Sequence, residues 1–311
     1  MQNIFVGVDI SKDWLDVHHP DRRHLQIANT PKATRQLARS CRREGAWVIF
    51  EATGGYDHHL RDALEAVGTQ FSRINPRQAR DFARAMGVIG KTDRVDARML
   101  AERGARLRPA QTEPAKPQRR ALQALLTRRR QLVEMRKQEA TRLKQVQNPV
   151  ARADIHSLIT ILERRVRKID AQMASLISSH QDLAATARRL QTVPGVGVIV
   201  AATLMAELPE LGRLDRRRIA ALAGLAPVPR DSGQTRGKRM IRGGRPVVRT
   251  MLYVAALHAS RFCSTFRVFR RRLADAGKPV KVALTATAHK LLSVLNAMLA
   301  NGSDFHLPTS T

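Results

Sequence analysis

The sequence predicts a mixed α/β N-terminal part, then a long helical hairpin, then a mainly α-helical and strongly basic C-terminal part. Three observations carry this expectation. Short apolar runs alternate with helical periodicity over residues 1 to about 105, heptad spacing runs from Ile155 to Leu176, and basic residues concentrate beyond Leu211.

The first three strands are expected at Asn3 to Val8 (NIFVGV), Trp14 to Val17 and Leu25 to Ala28, short apolar runs with turn-like residues between them. A meander is the simplest arrangement. Leu37 and Ala38 sit on helical spacing within Lys32 to Arg43, Trp47 to Phe50 (WVIF) reads as a buried strand, and Leu60 to Val67 is helical before the strand-like Gln70 to Ile74. Asp9 and Glu51 therefore each fall at a strand end. From Pro114 to Ile177 the pattern changes. Leu122, Leu126, Val133, Ala140 and Leu143 make a stripe broken by Arg129 and Arg136, while Ile155, Ile159, Leu162, Val166, Ile169, Met173 and Leu176 alternate steps of four and three. Asn148-Pro149 separates the halves, so an antiparallel hairpin is expected, either a dimerising coiled coil or two helices of a bundle. The expected domains are residues 1–112, 113–187 and 188–301, with a flexible tail over 302–311.

Composition narrows the function. The chain has 311 residues and 43% hydrophobic content, enough for a real core, which excludes disorder throughout. Against 26 acidic residues stand 55 Lys and Arg, a net charge of +29 that repels itself unless a polyanion screens it. Nucleic acid is the expected partner. Between Leu211 and Val282 there are 18 Lys and Arg against three Asp. Aromatic residues are 4%, which argues for phosphate contacts by Arg and Lys rather than a surface that stacks bases. Cys41 and Cys263 form neither a disulfide framework nor a metal-binding doublet. The apolar stretch Val193 to Ala206 is shorter than the roughly 18 residues of a membrane span and contains Pro194, Gly195 and Gly197. MQNIFVGVDISKD lacks the basic start and cleavable apolar core of a leader. A soluble, cytoplasmic, nucleoid-associated prokaryotic protein with no membrane partner is expected.

In so basic a chain, acids at strand ends invite a chemical reading. Asp9 stands in VGVDISK, Glu51 in VIFEATGGY, and Asp93 and Asp96 lie three apart in KTDRVDAR. Adjacent strands bring their C-terminal ends together, and an i, i+3 pair shares a helix face. Four carboxylates can thus converge, and clustered carboxylates suit hard cations such as Mg²⁺ or Mn²⁺, a pair of which clamps a phosphodiester. Two simpler roles remain open on these residues alone: Asp93 as a helix N-cap with Asp96 in the first turn, and Asp9 as the start of a turn. GVDISK also suits the phosphate loop of an actin-like or sugar-kinase fold, but a second glycine-rich phosphate loop is missing and a kinase needs no such charge.

The set VGVDISK, IFEATGGY, Ile74-Asn75-Pro76 and KTDRVDARMLA resembles the insertion-sequence transposase family whose N-terminal RuvC-like, RNase H-type domain carries a DEDD tetrad. That family also contains Piv-type DNA invertases, and some members are guided by a bridge RNA. Downstream, VPGVGVIVAATLMAEL, AALAGLAP and RDSGQTRGKR resemble its C-terminal domain in the same order. The resemblance implies a RuvC-like fold for the first domain, a tetrad of Asp9, Glu51, Asp93 and Asp96 binding Mg²⁺, and Ser232 of DSG as the nucleophile that takes a DNA phosphate covalently. Many relatives carry a further serine where this chain has Met240-Ile241-Arg242. Ser232 alone can equally stabilise a turn. Two other functions fit the same residues, a RuvC-like nuclease or junction resolvase that uses water, and a non-catalytic nucleic-acid-binding protein.

The remaining candidates concern contact with nucleic acid. Arg230, Arg236, Lys238 and Arg239 flank Ser232 and would hold the scissile phosphate. Gly195 and Gly197 in VPGVG resemble the hairpin of a helix-hairpin-helix motif, where backbone N–H groups approach a phosphate, although a plain helix-connecting turn also fits. Arg242, Arg245 and Arg249 continue a basic run around Gly243-Gly244, and Arg267, Arg270, Arg271 and Arg272 form a second cluster that can also be the solvated side of a helix. Such surfaces give affinity and salt dependence for double-stranded DNA, not sequence choice. The resemblance implies that a structured guide RNA supplies that choice by base pairing. It also implies a homo-oligomer, a dimer through the hairpin and a tetramer when two duplexes are joined. The pairs His18, His19 and His58, His59 are ligands, proton carriers or packed side chains.

Overall fold

Strand β1 (Phe5–Ile10) lies at the centre of a five-stranded sheet in the order β3-β2-β1-β4-β5, with β2 (Trp14–His18), β3 (Leu25–Ala28), β4 (Trp47–Glu51) and β5 (Phe71–Ile74) around it. The expected meander is β1-β2-β3, antiparallel throughout, whereas β4 and β5 run parallel to β1. Parallel neighbours require crossovers, and α1 (Pro31–Arg43) and α2 (His58–Val67) supply them. The computed structural model describes residues 4–22, 24–52, 54–88, 90, 92–229, 237 and 239–306. Two compact units make up the chain, Met1–Pro114 and Ala115–Thr311.

Alternation along the strands sorts the side chains of the first unit onto two faces. Val6, Val8, Val48, Phe50 and Phe71 pack with Ala38 of α1 and with Leu60 and Leu64 of α2. Phe5, Ile49 and Ile74 face the other way and meet Leu100 of α4 (Asp93–Leu107). Gly7 shares that second face by its odd position. A Cβ built on Gly7 would lie 1.9 Å from the Ala97 carbonyl oxygen and 2.5 Å from the Ala101 nitrogen, so α4 rests directly on the backbone of β1. Between β5 and α4 runs α3 (Pro76–Ala85), whose cap Asn75 accepts from the Arg77 N–H at 2.9 Å ahead of Pro76 at the first position. Ile74-Asn75-Pro76 is therefore a strand end, a cap and a helix start. The buried Asp57 carboxylate is compensated by an ion pair with Arg73.

In the second unit, α5 (Pro117–Leu143) and α6 (Pro149–Ser178) pack along each other, joined through Asn148, which caps α6 by accepting from the Val150 and Ala151 N–H groups. The heptad face is used inside the chain: Leu162 and Val166 bury against Leu132, with Val133 and Ile169 packed beside them. Arg129 and Arg136, which interrupt the sequence stripe, bridge across to Asp170 (2.6 Å) and Glu163 (3.5 Å) of α6. Long stems cover apolar surface while charged heads reach solvent or partners, so these breaks do not open the seam. At the other end of the helices, Leu122, Leu126, Met173 and Ile177 share a core with Ala202 and Ala206 of α8 (Val198–Glu207).

The largest core gathers α7 (Gln181–Gln191), α8, α9 (Arg216–Ala223), α10 (Pro246–Phe262), α11 (Ser264–Asp275) and α12 (Val280–Asn301). Among the described residues, α12 alone is long and apolar enough to cross a membrane by length and composition. Half of that stretch is buried within the unit, and Leu291, Leu292 and Leu295 sit in its core, the environment of a central helix. The tail expected to fray from Gly302 is tied down as far as Phe305. Its ring stacks on Phe266 with centroids 6.2 Å apart, and its N–H donates to the Thr192 hydroxyl at 3.0 Å. Residues 307–311 of that expected tail lie outside the described residues.

Replacing Gly7 with Ala forces α4 off the sheet. The expected loss is at least about 2 kcal/mol, read as a lower urea midpoint, and an unchanged midpoint would show that α4 does not rest on β1.

Candidate active site

The contact at Gly7 determines what lies two residues further on. Asp9 has the same parity as Phe5 and Gly7, so its carboxylate emerges on the face that α4 covers. In the parallel register Gly7 faces Ile49 and Val8 faces Phe50, so Asp9 continues opposite Glu51 with both side chains on that face. Both acids lie within the last two residues of their strands, rather than just past them. The α4 helix starts at Asp93, and the Thr92 hydroxyl caps it by accepting from the Val95 N–H at 3.3 Å. Thr92 thus fills the capping role that the sequence left open for Asp93. Asp93 and Asp96 occupy the first turn, where the helix dipole favours negative charge.

All four acids line one cavity of about 620 Å³, together with Ser11 and with Arg80 and Arg84 of α3. Among the described residues no three His, Cys, Asp or Glu side chains are drawn into an arrangement that could hold a metal ion. The backbone sets the acids around a common space, and side-chain rotation governs their final approach. The Asp9 carboxyl is pushed up from 3.8 to about 7, first by burial and then by the charges of Asp96, Glu51 and Asp93. A donor set of carboxylate oxygens in a pocket of surplus negative charge fits a hard divalent cation such as Mg²⁺ or Mn²⁺.

Arg80 and Arg84 were not among the residues singled out from the sequence. They lie four apart on a helix that buries none of its residues, and both are exposed. The available signal was their i, i+4 spacing just after Ile74-Asn75-Pro76. Arg103 of α4 donates to Gln78 of α3 at 3.4 Å and ties the two helices together. The histidines do not line the cavity. His19 pairs with Glu44 at 3.0 Å, His58 meets the Gly55 carbonyl at 2.8 Å, and burial, then Arg98, holds His18 below its ordinary value.

Ser232, Arg230, Arg236 and Lys238 lie outside the described residues, in the stretch between β6 (Pro227–Val228) and β7 (Met240–Ile241), which pair antiparallel. Arg239 and Arg242 are exposed beside β7. Arg245 is instead engaged within the unit, donating to both Glu210 oxygens at 2.6 and 2.7 Å and to the Glu207 carbonyl. Despite the burial that would raise it, Glu210 is held below its ordinary value by Arg245. Arg249 donates to the Gly243 carbonyl at 2.7 Å and closes the glycine turn. Gly195 has φ 92°, and a Cβ there would lie 2.5 Å from the Ala255 carbonyl oxygen, so its need for glycine comes from contact with α10. Gly197 caps α8 and has open space where a Cβ would stand.

Two family models and several known proteins match the chain. A family model described as a transposase, for the DEDD part of IS110-type elements, matches residues 6–148. A second, described as the transposase IS116/IS110/IS902 family, matches residues 187–271. The pilin gene-inverting protein of Moraxella bovis is 27% identical over 98% of each chain. The transposase for insertion sequence element IS1111A of Coxiella burnetii is 24% identical over 82% of this chain and 76% of its own. An uncharacterized 42 kDa protein of insertion element IS900 from Mycobacterium paratuberculosis is 33% identical over 49% of this chain and 38% of its own.

A carboxyl whose folded value lies above its unfolded one costs stability as pH rises through that interval, here from 3.8 to about 7 for Asp9. Asp9→Asn removes the cost. In EDTA at pH 8 the variant should melt several degrees above the parent, with the gap shrinking toward pH 4. Equal melting at both pH values would show that Asp9 carries no such burden.

Proposed function

Because the chain belongs to the IS116/IS110/IS902 transposase family and is a DNA transposase or recombinase, we propose that it cleaves and rejoins DNA through a covalent link to Ser232, with Mg²⁺ held by Asp9, Glu51, Asp93 and Asp96. The single observation that carries this reading is the convergence of those four acids, from two strands and one helix, on one cavity. The strand order, with β2 antiparallel and an acid at the end of each of two adjacent parallel strands, supports a RuvC-like reading of the first unit.

The chemistry is a pair of transesterifications. The Ser232 Oγ attacks the scissile phosphorus and gives up its proton, an O–P bond to Ser232 forms, and the phosphodiester bond to the DNA oxygen breaks as that oxygen is protonated. A strand-end hydroxyl then attacks the same phosphorus, restores a phosphodiester and returns the proton to Ser232. One ester bond is exchanged for another in each step, so no external energy source is required. A divalent cation held by Asp9, Glu51, Asp93 and Asp96 would supply charge neutralisation for the phosphate. Arg80 and Arg84 would grip the phosphate from the opposite wall, while Arg239 and Arg242 hold the flanking backbone. Ser232 needs an activating partner, since Asp231 is the sole acid beside it in sequence.

A structured guide RNA would select the DNA, read by the protein through backbone and shape, because phosphate contacts by arginine do not distinguish sequences. A dimer would form through the helical hairpin, and a tetramer when two duplexes are synapsed. Since Leu162 and Ile169 already serve the packing of α6 on α5, association would use the outward-facing Leu158, 36% exposed, and Ile161, 38% exposed.

Three experiments test this. Ser232→Ala should abolish a covalent protein–DNA adduct while duplex binding persists, and Glu51→Gln should lower recombination by more than about 100-fold; an intact adduct or undiminished recombination removes the corresponding role. Sedimentation of Leu158→Asp with Ile161→Asp should show a smaller species than the parent, and an unchanged profile would move the association surface elsewhere.

A further inference from the structure

A second cavity, in the C-terminal unit, has a character unlike the rest of the basic surface. It occupies about 780 Å³ between α11 and α12, with Arg216 from the start of α9 at its edge. Arg216, Arg272 and Lys290 line it and no acid does. Among the described residues none of the three makes a salt bridge with a carboxylate. Several other arginines of this unit are drawn into ion pairs, as Arg129, Arg136 and Arg245 are.

One residue of the wall, Phe269, is aromatic, in a chain with only 4% aromatic residues. Phe269 is half-buried, with the Arg272 guanidinium carbon 5.5 Å and the Lys290 ammonium 4.6 Å from its ring centroid. Cation–π contact fixes both cations at the cavity, and a guanidinium plane backed by an aromatic ring is a surface on which a base stacks. Val268, 66% exposed, and Val294 extend the apolar side. Burial, then the charge of Arg216, holds the His289 imidazole below 6.5, so it faces the cavity as a neutral group able to donate and accept.

A paired duplex offers phosphates but keeps its bases inside, so it would satisfy the cations and leave the aromatic wall exposed. An inorganic anion would do the same. The volume lies in the range of sites that enclose a small organic group. We propose that this cavity takes one unpaired nucleotide of a nucleic-acid strand, its base on the Phe269–Arg272 wall and its phosphate between Arg216 and Lys290. The site reads an extrahelical nucleotide, whether from a distorted DNA or from a bulge in an RNA. The inference rests on the nucleic-acid reading of the protein and is independent of the carboxylate chemistry.

The test uses the full-length protein and short duplexes, fully paired or with a single bulged 2-aminopurine, made as DNA and as RNA. The bulged form should bind about tenfold more tightly than the paired form, with quenching of the 2-aminopurine emission as it stacks. Phe269→Leu, which keeps an apolar group in place, should abolish that preference and the quenching while affinity for paired duplex stays within about twofold, and Arg272→Gln, on an exposed side chain, should likewise abolish the preference and the quenching. Preference confined to the DNA or to the RNA arm names the source of the nucleotide. Equal affinity for bulged and paired duplexes by the parent protein overturns the proposal but leaves the transposase reading intact. Variants that weaken both forms alike also overturn it, since they would mark a plain phosphate surface, and failure of the parent to bind any duplex would remove the nucleic-acid reading beneath it.

Discussion

The closeness of α4 to β1 is the constraint on which the active-site geometry depends. With no side chain at Gly7, the helix backbone at Ala97 and Ala101 sits where a Cβ would be. Helix and strand so closely applied cannot slide past one another, and the helix N-terminus is thereby set over the C-terminal end of the strand. The first-turn acids then project toward Asp9 and Glu51. The hydrophobic contacts of Phe5, Ile49, Ile74 and Leu100 hold that arrangement against the mutual repulsion of the carboxylates. The apolar face of the sheet thus stabilises an electrostatically unfavourable cluster, a strain that the proposed cation would relieve.

Charge is divided between the two units in a way that suits this chemistry. The acids gather in a cavity of the first unit, and the excess of Lys and Arg is concentrated in the second. Many of those basic residues have structural roles. Arg129 and Arg136 stitch α5 to α6, Arg245 locks onto Glu210, and Arg249 closes the turn at Gly243. Exposed pairs of this kind contribute modestly to stability, but they remove those guanidinium groups from the set that can meet a phosphate. Arg239, Arg242, Arg216, Arg272 and Lys290 remain turned outward or into a cavity. The formal charge therefore overstates the binding surface, and the positions of the unpaired cations describe it better.

Much of the fold was legible in the sequence because its signals are local. The strands of the first unit, the breaks at Asn148-Pro149 and the heptad run on α6 all come from periodicity and turn chemistry within a few residues. The α3 helix was missed, since its ten residues bury nothing and leave no apolar stripe, and with it went Arg80 and Arg84. The sequence offered Asp93 as a cap of α4, and Thr92 takes that role instead, because both are good N-cap residues and only backbone dihedrals distinguish them. Gly195 looked like a phosphate-approach glycine, and its requirement turned out to lie in α10, about 60 residues away in sequence. The heptads of α6 predicted a partner helix, but a heptad does not say whether that partner belongs to the same chain, and here α5 takes the position.

By itself the sequence determined that the chain is strongly basic, that its first part alternates strand and helix, and that Asp9 and Glu51 close strands while Asp93 and Asp96 share a helix turn. Each of these follows from residue type and spacing, which operate over a few ångströms along the chain. Tertiary structure alone decided that the four acids line one cavity, that Arg80 and Arg84 share it, and which arginines are consumed in ion pairs. Those outcomes depend on the distance between elements remote in sequence, and that distance is set by packing at a residue with no side chain, where periodicity has nothing to report.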